Sequence, residues 1–260
     1  MDILELKASN DSLNVAHHPW EHARFSVVYD IVKKNLSIPE LKNIVDLGCG
    51  DTFFMEKLHQ KITHTELHGI DIAFDEQTLD VLQKKYKGKN IHLYSSYNGF
   101  LRKDITPDLI LLLDVIEHIK DDYGFMLELL NSSSLDKSNI LITVPAFESL
   151  TTTRDEWLGH YRRYTVRSLT DLLVKSGFEV LKKGYFFSSL LIPRYLQKLV
   201  EKFKSPKKDE LSGIGNYKAK PFFDTIMKNA MVIDYKITRP LYYTGIHIPG
   251  LSCFALCKKK

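Results

Sequence analysis

Five short apolar runs within residues 43–145 set the tightest limit on what this chain can fold into. They read "NIVDLG", "ELHGIDIA", "NIHLYSS", "DLILLLDV" and "NILITVP". Runs that are apolar on both faces and separated by helical segments predict a parallel sheet covered on both sides. Segments 53–61, 77–86 and 122–130 fit as the helical crossovers. A sixth run, "FEVLKKGYFF", follows a helix expected over 168–176 and ended by Gly177, and a seventh, "LSCFALC", closes the chain. The expected fold class is α/β, a doubly wound, mostly parallel sheet of seven strands with a helical insertion before the last strand.

More than about 60 residues separate the sixth and seventh runs, too many for a hairpin loop. They start "SSLLIPRYLQKLVEKF", pass through "KSPKKDELSGIGNYKAK" and resume with "PFFDTIMKNAMVIDYKITRPLYY". The charged middle reads as a mobile loop, and its flanks as helices that cover something. The expected division is an N-terminal helical lid over 1–40, an α/β core over 41–186, an insertion or lid over 187–249 and the final core strand over 250–260. The insertion joins an aromatic and aliphatic stretch to a helix with basic residues at Arg194, Lys198, Lys202 and Lys204. That composition suits a weak peripheral contact with a membrane surface. The alternative is an apolar face packed on the sheet or on a second subunit. Pro193 limits how long such a helix can run.

The net charge of +4 over 260 residues is mild, and a nucleic-acid stripe would be more basic, so nucleic acid is not the expected partner. Cys49, Cys253 and Cys257 form an odd set without metal spacing, as in a reducing, cytoplasmic compartment. "MDILELKASN" lacks the pattern of a signal peptide. No apolar run reaches the roughly 18 residues of a membrane span. Oligomeric state is left open.

Polar residues gather where the runs end: Asp46, Asp71, Ser95 with Ser96, and Asp114. In an open parallel sheet, ligands bind at that edge. The turn after the first run holds Gly48-Cys49-Gly50-Asp51-Thr52-Phe53, so the third glycine of a dinucleotide fingerprint is missing. Asp71, about 20 residues on, has the spacing to take both hydroxyls of a ribose. A nucleoside ligand follows from this chemistry; a pyrophosphate does not.

"VDLGCGDT", "GIDI", "LDVIEH" and "ITVPA", in this order and spacing, resemble the class I S-adenosylmethionine-dependent methyltransferases. The resemblance spans about residues 20–257. It implies a Rossmann-like methyltransferase fold with S-adenosyl-L-methionine as cofactor. Asp46, Gly48, Cys49 and Gly50 would then line the methionine part, and Asp71 with Ile72 the ribose. Ser95 or Ser96 would lie near the adenine, and Asp114 with Val115 beside the sulfonium end. Thr52 departs from the family, which often has a small residue there, usually glycine.

Two segments can supply acceptor chemistry. "DVIEHIKDD" brings Glu117 and His118 after the fourth run, and "TRDEWLGHYRRYT" packs Asp155, Trp157, His160, Tyr161, Arg162, Arg163 and Tyr164 into about ten residues. The latter resembles a bacterial branch linked to small-molecule or glycan tailoring. His160, beside Gly159, is the first candidate for acceptor deprotonation and His118 the second; for each the plain alternative is a structural role. Tyr161, Arg163 and Tyr164 are candidates for holding substrate, and Thr165 for capping the next helix. Upstream, Trp20 and Arg24 are four apart and share one helix face that can line the pocket.

The leading expectation is methyl transfer to oxygen on a small polar metabolite or sugar-bearing acceptor, without a metal. Two alternatives stand beside it. One is a metal-assisted RNA 2′-O-methyltransferase, whose acid-x-x-Glu-His cluster and distant histidine are mimicked by Asp114, Glu117, His118 and His160. The other is an inactive cofactor-binding scaffold.

Overall fold

The computed structural model describes residues 17–101, 105–132, 136–201, 203, 217, 219–242 and 244–260. Lys202, Lys204 and most of the expected mobile loop lie outside the described residues, as do residues 1–16 of the expected N-terminal lid.

The seven apolar runs form seven strands: β1 (Asn43–Leu47), β2 (Glu66–Ile70), β3 (Ile91–Tyr94), β4 (Leu109–Leu113), β5 (Asn139–Pro145), β6 (Phe178–Phe186) and β7 (Ser252–Lys259). They make one sheet in the order β3-β2-β1-β4-β5-β7-β6. β1 to β5 are mutually parallel, and β7 runs antiparallel between β5 and β6. This is the doubly wound arrangement that the alternation implies.

Successive strand residues point to opposite faces, and the core divides accordingly. Ile44, Leu67, Leu109, Leu111 and Leu256 pack on one face, and Val45, Ile110, Leu112, Ile142 and Ala255 on the other. Among the described residues the helices are α1 (Pro19–Asn35), α2 (Phe53–His59), α3 (Glu76–Lys85), α4 (Tyr97–Leu101), α5 (Asp122–Asn131), α6 (Thr153–Trp157), α7 (Val166–Lys175), α8 (Leu191–Glu201) and α9 (Pro221–Tyr242). The short helices α4 and α6 have no counterpart in the sequence reading. Five residues hold barely more than one turn, too little for hydrophobic periodicity to register.

Local chemistry sets several helix ends. His18 caps α1: Trp20 N–H donates to its Nδ1, while Glu21 accepts from the His18 backbone. Thr165 caps α7 by accepting from Ser168 N–H at 3.0 Å, as expected from its residue type. Pro193 falls in the first turn of α8, where a missing N–H costs little.

The insertion contributes α8 and α9. α9 packs on α1, where the Tyr235 hydroxyl and the Arg239 guanidinium both donate to Asp30 Oδ2, at 3.0 and 2.7 Å. α1 and α9 thus lie together on one face of the sheet. The chain then re-enters the sheet past Gly250, where an added Cβ would stand 2.3 Å from the Phe186 carbonyl oxygen. Gly250→Ala is therefore expected to cost roughly 1–3 kcal/mol. The measurement is the urea denaturation midpoint at unchanged slope; an unchanged midpoint would show that the backbone yields there.

Candidate active site

The pairings Leu47↔Ile70 and Leu47↔Leu112 bring the carboxyl ends of β1, β2 and β4 to one level. β1 and β4 flank the point where the strand order reverses, and a cavity of about 670 Å³ opens there. Asp46, Asp71 and Asp114 all border it.

Asp46 is buried and its Oδ1 has no hydrogen-bond partner. Burial pushes its carboxyl up to about 7, against the opposing charge of Arg24. A buried carboxylate oxygen without a donor is costly unless a ligand supplies one. Asp71 accepts from Gly50 N–H through Oδ2 and from Ala73 N–H through Oδ1, each at 2.9 Å. A carboxylate has about four acceptor positions, so this one can brace the turn and still face a ligand. Asp114 has a left-handed backbone, φ 57°. Its Oδ2 lies 3.2 Å from Arg24 Nη2, and its Oδ1 accepts from Thr143 Oγ1 at 3.1 Å.

The turn after β1 needs its glycines. Gly48 has φ +76°, and a Cβ there would meet Val115 Cγ2 at 2.7 Å. Thr52 stands where a small residue is usual and also adopts φ 66°, a conformation that glycine takes without strain. Its hydroxyl, 2.6 Å from the Tyr86 hydroxyl and 2.5 Å from the Asp51 carbonyl, braces that backbone in the buried interior. Cys49 and Ile72 also border the cavity; burial pushes the Cys49 thiol well above its ordinary range.

On the acceptor side, Ile116–His118 forms a single 3-10 turn that carries Glu117 and His118 to the cavity. The rings of His118 and His160 meet edge to face at 4.6 Å. His160 Nδ1 donates to Asp155 Oδ1 at 3.1 Å. Asp155 is buried; Arg163 Nη2 grips its Oδ1 at 2.6 Å and Arg194 Nη2 its Oδ2 at 2.7 Å. Burial opposes ionisation of Asp155, but the His160 hydrogen bond and the charges of Arg163 and Arg194 hold its carboxyl well below the usual range. Glu117 is fully buried, and neither of its oxygens has a hydrogen-bond partner. Burial, reinforced by Asp114, pushes its carboxyl well above the ordinary value. The ligand atoms of Glu117, His118 and His160 lie within 4.8 Å of one another.

Several expected site residues lie elsewhere. Ser95 and Ser96 are exposed and border no part of the cavity; Ser96 Oγ instead accepts from Gly99 N–H within α4. Tyr97 and Ile72 line the wall near them. The Tyr161 side chain is 57 % exposed. Only its backbone N–H is engaged, donating to the Glu117 carbonyl at 2.8 Å. Tyr164 is buried, and its hydroxyl donates to Asp122 Oδ2 at 2.7 Å, so it holds the segment down rather than facing substrate. Arg163 does border the cavity, with its guanidinium committed to Asp155 and the Ala146 carbonyl. Trp20 and Arg24 line the cavity, the guanidinium 5.3 Å from the ring centre. Arg194 joins the site from α8, 39 residues from Asp155 in sequence, and no local pattern announces it.

A family profile described as a methyltransferase domain matches residues 20–183. The chain belongs to that family. It is a class I S-adenosylmethionine-dependent methyltransferase. No curated protein matches the chain. Solved structures of similar fold include a coclaurine N-methyltransferase bound to N-methylheliamine and S-adenosylhomocysteine, with TM-score 0.56 and 12 % identity over 100 % of this chain and 79 % of that one. They also include the O-methyltransferase of a Brevibacillus brevis trans-AT polyketide synthase in complex with S-adenosylhomocysteine, with TM-score 0.51 and 15 % identity over 90 % and 71 %. A third is a [4+2]-cyclase, with TM-score 0.53 and 13 % identity over 96 % and 86 %. The last shows that this architecture by itself does not fix a reaction.

The methyltransferase's cavity fits its cofactor in chemical terms. The orphaned Asp46 oxygen suits an ammonium donor, the glycine turn leaves room against the backbone, and the ring of carboxylates favours a cationic sulfonium. Replacing Asp71 by Ala is expected to weaken S-adenosylmethionine binding by roughly 1.5–3 kcal/mol; unchanged affinity in calorimetry would remove Asp71 from the ribose.

A pH dependence follows from Asp46. A cationic ligand favours its carboxylate, so cofactor affinity is expected to fall as pH drops through about 7, with a proton released on binding near that pH. In the ligand-free protein the folded state keeps this proton while the unfolded chain has lost it, so Asp46 lowers stability as pH rises from about 4 to about 7. Calorimetry in two buffers of different ionisation enthalpy measures the release. Constant affinity from about pH 6 to 8.5 would contradict the assignment.

Proposed function

We propose that this methyltransferase methylates an oxygen of a small polar acceptor, a metabolite or a sugar-bearing intermediate. The observation that carries the reading is the His160–Asp155 pair at the cavity wall. When bound, S-adenosylmethionine supplies an electrophilic methyl group on a positively charged sulfur. Asp46, Gly48, Cys49 and Gly50 would hold its amino-acid end, Asp71 and Ile72 its ribose, and Asp114 with Val115 the wall beside the sulfur.

A hydroxyl acceptor must lose its proton as the new bond forms, whereas a neutral amine needs no base beforehand. With Nδ1–H donated to Asp155, His160 presents the Nε2 lone pair, which takes that proton. Asp155 then stabilises the imidazolium and holds the ring in orientation. Arg163 and Arg194 keep Asp155 ionised and fixed, as positioning residues. Trp20 and Arg24 wall the acceptor side, and apolar side chains such as Leu158 and Leu251 limit water there.

His160→Ala is expected to lower turnover about 10²–10⁴-fold while leaving cofactor affinity nearly unchanged. If cofactor binding collapses and turnover at saturation survives, His160 serves the cofactor instead.

A second reading rests on Glu117. A buried carboxylate without a donor, beside two imidazoles, is also a ligand set for a divalent ion such as magnesium or manganese. An ion there would lower the acceptor's proton affinity directly, with His160 as ligand rather than base. Chelation separates the two. Turnover that is indifferent to chelator supports the base, and turnover lost with chelator and restored by added ion supports the metal.

A further inference from the structure

Two stripes of apolar side chains on the insertion face solvent. On α8, Ile192, Tyr195, Leu196 and Val200 repeat at helical spacing and are all exposed, and Phe203 one turn on is 91 % exposed. No residue of α8 is buried. On α9, Met231, Tyr235 and Thr238 are buried against the body of the protein. Phe223, Ile226, Ile233 and Ile237 repeat along the outside, joined at the start by Phe222 and Met227. Eleven of the seventeen large apolar side chains exposed among the described residues belong to these two segments. The exposure is therefore concentrated, unlike the single scattered residues of an ordinary surface.

Charge decides between occupants. Residues 187–249 contain eleven Lys and Arg against five Asp and Glu, a net +6, while the whole chain carries +4. Among the described residues Lys220 and Lys236 are exposed on this face, so a second copy laid on it would set positive charge against positive charge, which opposes a symmetric pairing. An anionic lipid surface matches both the apolar stripes and the positive charge. Among the described residues no helix is long and apolar enough to cross a membrane, so the geometry suits a segment lying in the headgroup region.

We propose that α8 and α9 dock this protein on an anionic lipid bilayer, stripes into the headgroup region and lysines such as Lys220 and Lys236 against lipid phosphates. α8 also carries Arg194, whose guanidinium borders the cavity and grips Asp155. The helix that meets lipid is therefore a wall of the site. Resting on the methyl-transfer reading above, this points to an acceptor whose polar head enters the cavity while an apolar tail stays in the bilayer.

The test is co-sedimentation of the full chain with vesicles of phosphatidylcholine alone or mixed with phosphatidylglycerol, at low and physiological salt. The expected result is pelleting with the mixed vesicles, weakened by salt. Ile226→Glu with Ile237→Glu, and separately Lys220→Glu with Lys236→Glu, should each reduce it by at least about tenfold. Cofactor affinity and thermal midpoint should not change in either variant, since all four side chains lie on the surface away from the cavity. No lipid-dependent pelleting, equal pelleting with neutral vesicles, or pelleting untouched by both variants would overturn the proposal. A dimer in light scattering that the Ile226→Glu, Ile237→Glu variant converts to monomer would assign the face to a second copy and overturn it as well. Cofactor binding in solution is read independently, so loss of the methyl-transfer reading and loss of the docking surface are separate outcomes.

Discussion

Parallel strands cannot be joined by tight turns, so each crossover helix leaves the carboxyl end of one strand and returns to the opposite edge. In this chain that constraint lines up the ends of β1, β2 and β4, and the sequence puts an aspartate at or just after each. The consequence is a concentration of negative charge in a partly enclosed cavity. Burial raises the carboxyl of Asp46, the deepest of the three, to about 7, so part of its charge is lost at neutral pH. The other two stay tied to backbone N–H groups, to Arg24 and to Thr143. A cationic ligand relieves that crowding, so the same feature that burdens the empty fold gives the cavity its selectivity.

The acceptor side is organised by another carboxylate. Asp155 accepts from the Thr152 backbone and hydroxyl, from His160, and from two arginines that arrive from different parts of the chain. Through it the segment after β5, the histidine and the insertion helix α8 are fixed relative to one another. A buried charge with this many donors is held firmly, and removal of one partner exposes the rest to an uncompensated charge. The insertion is therefore coupled to the site through Arg194, while its outer face, crowded with exposed isoleucine and phenylalanine, looks away from the body.

Thr52 shows how a departure from pattern is absorbed. The position demands a left-handed backbone, and threonine meets it because a buried tyrosine hydroxyl and a carbonyl hold its side chain. Tyr164 shows the opposite case. Its neighbours in sequence suggest substrate contact, yet the ring packs inward and its hydroxyl bonds Asp122.

The sequence alone determined the sheet, the crossovers, the glycine turn and the acids at the strand ends, because hydrophobic period, glycine placement and strand-end acids are local signals. It also marked His118, His160, Trp20 and Arg24, which tertiary structure brings to one cavity. Tertiary structure decided the rest. It placed Ser95, Ser96 and Tyr161 on the surface and turned Tyr164 inward. It brought Arg194 across 39 residues to Asp155 and left Glu117 buried without a donor. These outcomes depend on which faces meet and how deeply they bury one another, and a run of residue types does not encode where a distant helix will lie.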